Sequence, residues 1–131
     1  MMGAQAIAVS GMGASSAWMD AIASNVANMR DESALPAPNM PYTGYQPVTV
    51  QLSTSAEGGV VATTEPLMPA YSAGFDPSAP LANAQGLVAV PNVDLATAVV
   101  EQTMALESYR ADAMVFRVAQ QMTKTLLDTV A

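Results

Sequence analysis

The sequence predicts a mainly α fold: long N- and C-terminal helices packed as a coiled-coil-like pair, with a small β-hairpin and a Pro-rich loop inserted between them. Three observations predict it. The run from Asn92 to Val130 contains neither proline nor glycine, whereas all nine prolines lie from Pro36 to Pro91. The segment from Ala4 to about Arg30 places apolar and small residues at alternating four- and three-residue steps, the spacing of a helical seam. Between the two, the stretch from Gln46 to Glu65 alternates apolar and polar residues as a half-buried strand pair does. The chain therefore divides into an N-terminal helix (1–31), a Pro-rich loop and hairpin insertion (32–91) and a C-terminal long helix (92–131), forming one structural unit.

In the first segment the seam residues are Ala8, Met12, Ser15, Met19, Ile22, Val26 and Met29. The opposite face carries Ser10, Ala17, Ala21, Ser24 and Asn28, small enough to let another helix approach closely. Gly11 and Gly13 each cost about 1 kcal/mol relative to alanine in a helix, so packing must order this region. Trp18 reads as a packing anchor. After Arg30, the sequence Ala-Leu-Pro-Ala-Pro-Asn-Met-Pro from Ala34 to Pro41 removes donors and favours extended turns. Val48, Val50 and Leu52 then mark a strand, Glu57-Gly58-Gly59 a turn, and Val60 to Thr64 the returning strand. An isolated hairpin is marginal in water, so it must lean on a helix or a neighbour. The stretch from Pro66 to Gln85 reads as irregular, anchored by Tyr71 and Phe75, and Leu87 to Val90 as a short extended strip.

Asn92 is the expected N-cap of the last helix, with Asp94 at the positive end of the helix dipole. A helix of this length extends roughly 55 Å. At about 100° per residue, Leu95, Val99, Leu106, Tyr109, Ala113, Phe116 and Leu127 share one face. Val100, Met104, Ala111, Val115, Val118, Met122 and Leu126 share another, nearly opposite. Arg110, Arg117 and Lys124 form a lane at seven-residue spacing beside the first face, and Glu101 and Asp112 lie in a lane between the faces. A surface helix of a monomer normally has one apolar stripe. Two stripes imply two sets of neighbours, and a chain this short has little material for a second layer. Contacts with other chains are therefore expected at Met19, Ile22, Val26, Leu106, Tyr109, Phe116, Val115, Met122 and Leu126.

The totals narrow the function classes. The net charge is −7, with four basic residues in all. Nucleic acid is disfavoured as a partner, because its affinity comes from clustered Lys and Arg, and direct lipid binding is not expected. With no Cys and no His, thiol catalysis, a His base and the usual zinc sites are excluded. The carboxylates combine with no plausible base or metal-ligand spacing, so no catalytic residue, cofactor or metal is expected. Ser10 to Ser15 is glycine-rich, but it lacks the lysine and preceding strand of a phosphate loop. The ten methionines suit adaptable packing surfaces. The apolar N-terminus lacks the positive region of a signal peptide, since its first basic residue is Arg30.

The two ends together carry a resemblance. Ser10 to Met29, SGMGASSAWMDAIASNVANM, resembles the N-terminal signature of bacterial flagellar rod, hook and related axial proteins. In that family a Ser-Gly start leads to an Ala-x-Asn-x-Ala-Asn ending, here Ala23 to Asn28. Gly86 to Asp128 is similar to the matching C-terminal signature; Tyr109-Arg110-Ala111-Asp112 stands where the family commonly shows Tyr-x-Ala-Asn. Phe75 to Leu95, FDPSAPLANAQGLVAVPNVDL, is similar to the segment that distinguishes the basal-body rod protein C branch, proximal rod subunits. The resemblance implies a non-enzymatic structural subunit of the flagellar basal-body rod, which spans the periplasm. Its partners would be other flagellar rod proteins, copies of itself, and the flagellar type III export apparatus. The alternatives are another axial subunit of the rod or hook junction, or a soluble coiled-coil adaptor or secretion chaperone.

Overall fold

The computed structural model describes residues 3–130; residues 1–2 and 131, the outer ends of the two helical segments read from the sequence, lie outside the described residues. In chain order the elements are α1 (Ala4–Ala27), β1 (Val48–Thr54), β2 (Val60–Pro66), β3 (Tyr71–Phe75), β4 (Leu87–Pro91) and α2 (Leu95–Val130). This corrects the expected fold class. A four-strand β region, not a small hairpin insertion, separates the helices, and it forms two antiparallel sheets, β1 with β2 and β3 with β4. The architecture is α+β, not mainly α.

The correction has a physical cause. β3 reads Tyr-Ser-Ala-Gly-Phe, a segment with no run of branched residues, and its strand character comes from a partner across the Asp76–Gly86 connection. Tyr71 lies opposite Pro91, Ala73 opposite Ala89 and Phe75 opposite Leu87. The other edge of β4 is taken by Ser33, whose N–H donates to the Ala89 carbonyl (3.0 Å) while the Ala89 N–H donates back (2.8 Å). Paired on both edges, Val88 and Ala89 are fully buried. The Tyr71 ring stacks on Tyr42 with centroids 4.5 Å apart, which ties the Pro-rich segment to this sheet. Phe75, expected as an anchor, is exposed instead. The connection after it is held by its own side chains: Asp76 Oδ1 accepts from the N–H and hydroxyl of Ser78. Asn83 Oδ1 accepts from the N–H groups of Gln85 and Leu87.

The hairpin runs from Val48 opposite Pro66 to Thr54 opposite Val60. Its turn needs Gly58 and Gly59, both at positive φ (96° and 94°), where a side chain would be strained. Two polar side chains of α1 fasten it. Asn25 acts as a surrogate strand: its Nδ2 donates to the Val48 carbonyl (2.7 Å) and its Oδ1 accepts the Val48 N–H (3.0 Å). Tyr45 donates its hydroxyl to the same Oδ1 and shares a hydrogen bond with Ser24. At the far end of the hairpin, Ser10 Oγ accepts the Val60 N–H (3.0 Å). Ser10 and Asn25 are separated by about 22 Å of helix, and the strands between their partners span about 20 Å. The hairpin thus lies along the helix. The small-residue face that was expected to admit another helix meets these strands and Tyr45.

α1 and α2 pair antiparallel. Gly11 faces Asp112, the start of α1 at Ala4 lies beside Ala119 and Met122, and Ile22 shares a cleft with Ala98. Apart from Ile22, the buried residues of the pair are small: Ala8, Gly11, Ala14 and Ser15 on α1, Ala98 and Ala105 on α2. A methyl group at Gly11 would collide with the Asp112 carboxylate, so the absence of a side chain at Gly11 makes room for that carboxylate in the crossing. α1 stops at Ala27, short of Arg30, because Asn28 turns away and its side-chain amide takes the Ser24 carbonyl at 2.8 Å.

Two substitutions check these contacts. Gly11→Val overpacks the helix crossing and is expected to cost about 1–3 kcal/mol in urea unfolding. Asn25→Ala strands the N–H and carbonyl of Val48 and should cost a similar amount, about 1–3 kcal/mol. A neutral result for either would mean that the contact does not hold the fold.

Candidate assembly surface

The face that α2 turns toward α1 is not one of the two large apolar faces. Ala98, Ala105, Asp112 and Ala119 follow one another at seven-residue spacing. Ala98 and Ala105 are buried, Asp112 and Ala119 half-buried. The lane that separated the two faces in the sequence is therefore the seam of the helix pair. Alanine wins this position because two helices gain contact by close approach, and larger side chains hold them apart.

The two apolar faces are displaced to either side and fare differently. The first is partly covered: Phe116 and Ala113 are half-buried, and Leu106 and Tyr109 sit at the margin, 37% and 38% exposed. The second is bare. Val100, Met104, Val115, Val118, Met122 and Leu126 are between 51% and 66% exposed. From Val100 to Leu126 this strip is about 39 Å long; these six residues carry no charge, and the exposed Glu107 stands at its margin. Shallow apolar grooves run along it between Met114, Val115, Val118, Met122 and Leu126, with Ala4 of α1 at one edge. Monomers rarely leave a continuous apolar strip of this kind in water, and its usual meaning is an interaction site.

Of the residues expected to meet other chains, Val115, Met122 and Leu126 lie on this bare strip. Leu106, Tyr109 and Phe116 lie on the partly covered face. On α1, Met19 and Val26 are half-buried, whereas Ile22 is only 5% exposed and belongs to the chain's own interior. The structure does not bring the α1 and α2 sets onto one surface. Val100, Met104 and Val118 belong with the strip and were left off the contact list although their angular positions placed them there. Met40, Met68 and Leu81 on the loops and Phe75 at the end of β3 are also exposed; no periodicity marks them in the sequence.

The N-cap assignment changes as well. Asn92 does not cap α2: its side-chain amide donates to the Pro69 carbonyl (3.0 Å), and its N–H donates to Ala70. Asp94 is the cap. Its Oδ2 accepts the Thr97 N–H (2.8 Å) and the Thr97 hydroxyl (2.7 Å), and its carbonyl accepts the first intrahelical bond, from Ala98. The Thr97 hydroxyl, then the Thr97 N–H, hold the Asp94 carboxyl below its ordinary value of 3.8.

The charges sort along α2. Three of the four basic residues, Arg110, Arg117 and Lys124, lie on its distal part. Among the described residues the single ion pair is Arg110 with Glu107, at 2.6 Å. Both side chains are more than half exposed, so the pair adds little stability. At the other end of α2, a cleft of about 200 Å³ opens between α1, β1 and α2, lined among others by Asn25, Thr49, Asp94 and Glu101. Among the described residues no group of three metal-ligating side chains converges, and no helix is long and apolar enough to cross a membrane. No protein-family model matches the chain, and no curated protein does either.

The Asp94 cap carries a pH dependence with a defined sign. A carboxyl held below its unfolded value stabilises the folded state above that value and loses this effect as pH falls through the folded one. In thermal melts, Asp94→Ala should therefore lie below the parent protein near neutral pH, and the gap should begin to narrow near pH 3.8 and close as pH falls through the lower folded value. A gap that is constant with pH would mean that the cap works without its charge.

Proposed function

We propose that the chain is a structural subunit of the bacterial flagellar basal-body rod, exported by the flagellar type III apparatus and assembled with copies of itself and other rod proteins into a helical tube. The observation that carries this reading is the bare strip of α2. The chain folds around an alanine seam and leaves an apolar face, about 39 Å long, for neighbours to cover. A subunit that meets its neighbours through different faces generates an open helical array when the rotation does not close. The terminal signatures support the same reading. Ser10, Asn25 and Asn28, three positions of the N-terminal signature, fasten the hairpin and end α1. A part that transmits torque needs such a body, fixed rigidly to its assembly helix.

The rod reading and a soluble adaptor reading separate in one experiment. Met122→Asp places a charge on the bare strip at a position that is exposed in the single chain, so folding and export are expected to persist. Incorporation into the rod, and with it swimming, are expected to be lost. Leu106→Asp should act in the same direction through the partly covered face. Normal motility in both variants, or a map of the isolated basal body in which these helices are absent from the tube wall, would remove the rod reading.

A further inference from the structure

The two ends of α2 carry complementary, unmet charge. At the base, Asp94 and Glu101 are seven residues apart and line the cleft with Asn25 and Thr49. Asp94 is exposed and Glu101 half-buried, and neither has a basic partner among the described residues. On the distal part, Arg117 and Lys124 repeat at the same seven-residue step in line with Arg110, and these two have no acidic partner among the described residues. The only other basic residue is Arg30, outside α2. Within one chain the lanes cannot meet, because they lie on different sides of one straight helix and are displaced along it.

We propose that a second copy of this chain docks head-to-tail along α2, running parallel, with its basic lane seated against the acidic cleft of the first. A stagger of about 34 Å sets Arg117 of one copy beside Asp94 of the next and Lys124 beside Glu101. The equal seven-residue repeats bring both pairs into register at once, about 10.5 Å apart. Without the stagger, Arg117 and Lys124 would lie against Val118 and Met122 of the neighbour, where their charges find no counterpart. With it, the long basic stems cross Val100 and Met104 and cover part of the bare strip. Each copy offers one lane and one cleft, so the contact is heterologous and leaves an end free for the next copy. This inference rests on the reading of the chain as a self-assembling subunit and names the contact by which copies meet.

Complementation in trans tests it. Purified full-length protein is followed by sedimentation velocity over a concentration series at low and high salt. The parent is expected to form an open series of oligomers that high salt disperses. Lys124→Glu, and separately Glu101→Lys, should each weaken association by about a hundredfold. An equimolar mixture of the two should regain it, since the reversed charge on the lane of one then meets the reversed charge in the cleft of the other. Circular dichroism confirms that each variant folds, and Glu101→Gln, which removes the charge without reversing it, should weaken association less than Glu101→Lys. A parent that stays monomeric at all concentrations, a closed dimer, or a mixture that fails to regain association while the parent oligomerises would each overturn the contact. The last two outcomes leave the rod reading standing, because the basal-body map decides that separately.

Discussion

The close crossing of α1 and α2 is the constraint from which the rest follows. Two helices lined by alanine, serine and glycine gain stability only if their backbones come near enough for small side chains to touch. Gly11 makes room for the Asp112 side chain, and Ala98 and Ala105 in the same line are buried. Burying alanines removes little apolar surface per residue, so the pair needs many contacts along its length. It also settles the fate of the larger residues. Once the alanine lane is taken by α1, valines, methionines and leucines on either side must point past it. The exposed strip is therefore a consequence of how the chain covers itself.

The β region depends on the same helix in another way. A two-stranded hairpin has no independent stability worth relying on, and this one is hydrogen-bonded to α1 near both ends, through Asn25 at Val48 and Ser10 at Val60. The match between the helical distance and the strand length lets both bonds form without bending either element. The second sheet makes no such use of α1. It is held by Ser33 on the free edge of β4, by the Tyr42–Tyr71 stack, and by Asn92, which closes back on Pro69 and Ala70. Asn92 and Asp94 thus divide the work at the start of α2: one joins the helix to the sheet, the other begins the helix.

Much of this was legible in the chain, and what was not has identifiable causes. The extent of α2 followed from the absence of proline and glycine, and the hairpin from alternation and a Gly-Gly turn, because both signals are local. β3 carried no local signal: its strand identity depends on β4, on Ser33 and on a connection stabilised by Asp76 and Asn83. The N-cap was misplaced by two residues because Asn92 and Asp94 are both good capping residues, and only the competing claim of the Pro69 carbonyl decides between them. The bare strip could be read from angular position. Which lane α1 would occupy could not, since angular position sorts residues into faces without showing that the smallest side chains allow the closest approach.

One further property follows from unequal lengths. The start of α1 shares a groove with Met122 and Leu126, but α2 continues to Val130. Among the described residues no part of α1 lies beside the last turn, and Leu126 and Leu127 stand largely open to water. Backbone hydrogen bonds in such a segment break by fraying from the tip, well before the molecule as a whole unfolds. The stiffness of the longest element is therefore incomplete in the solitary chain.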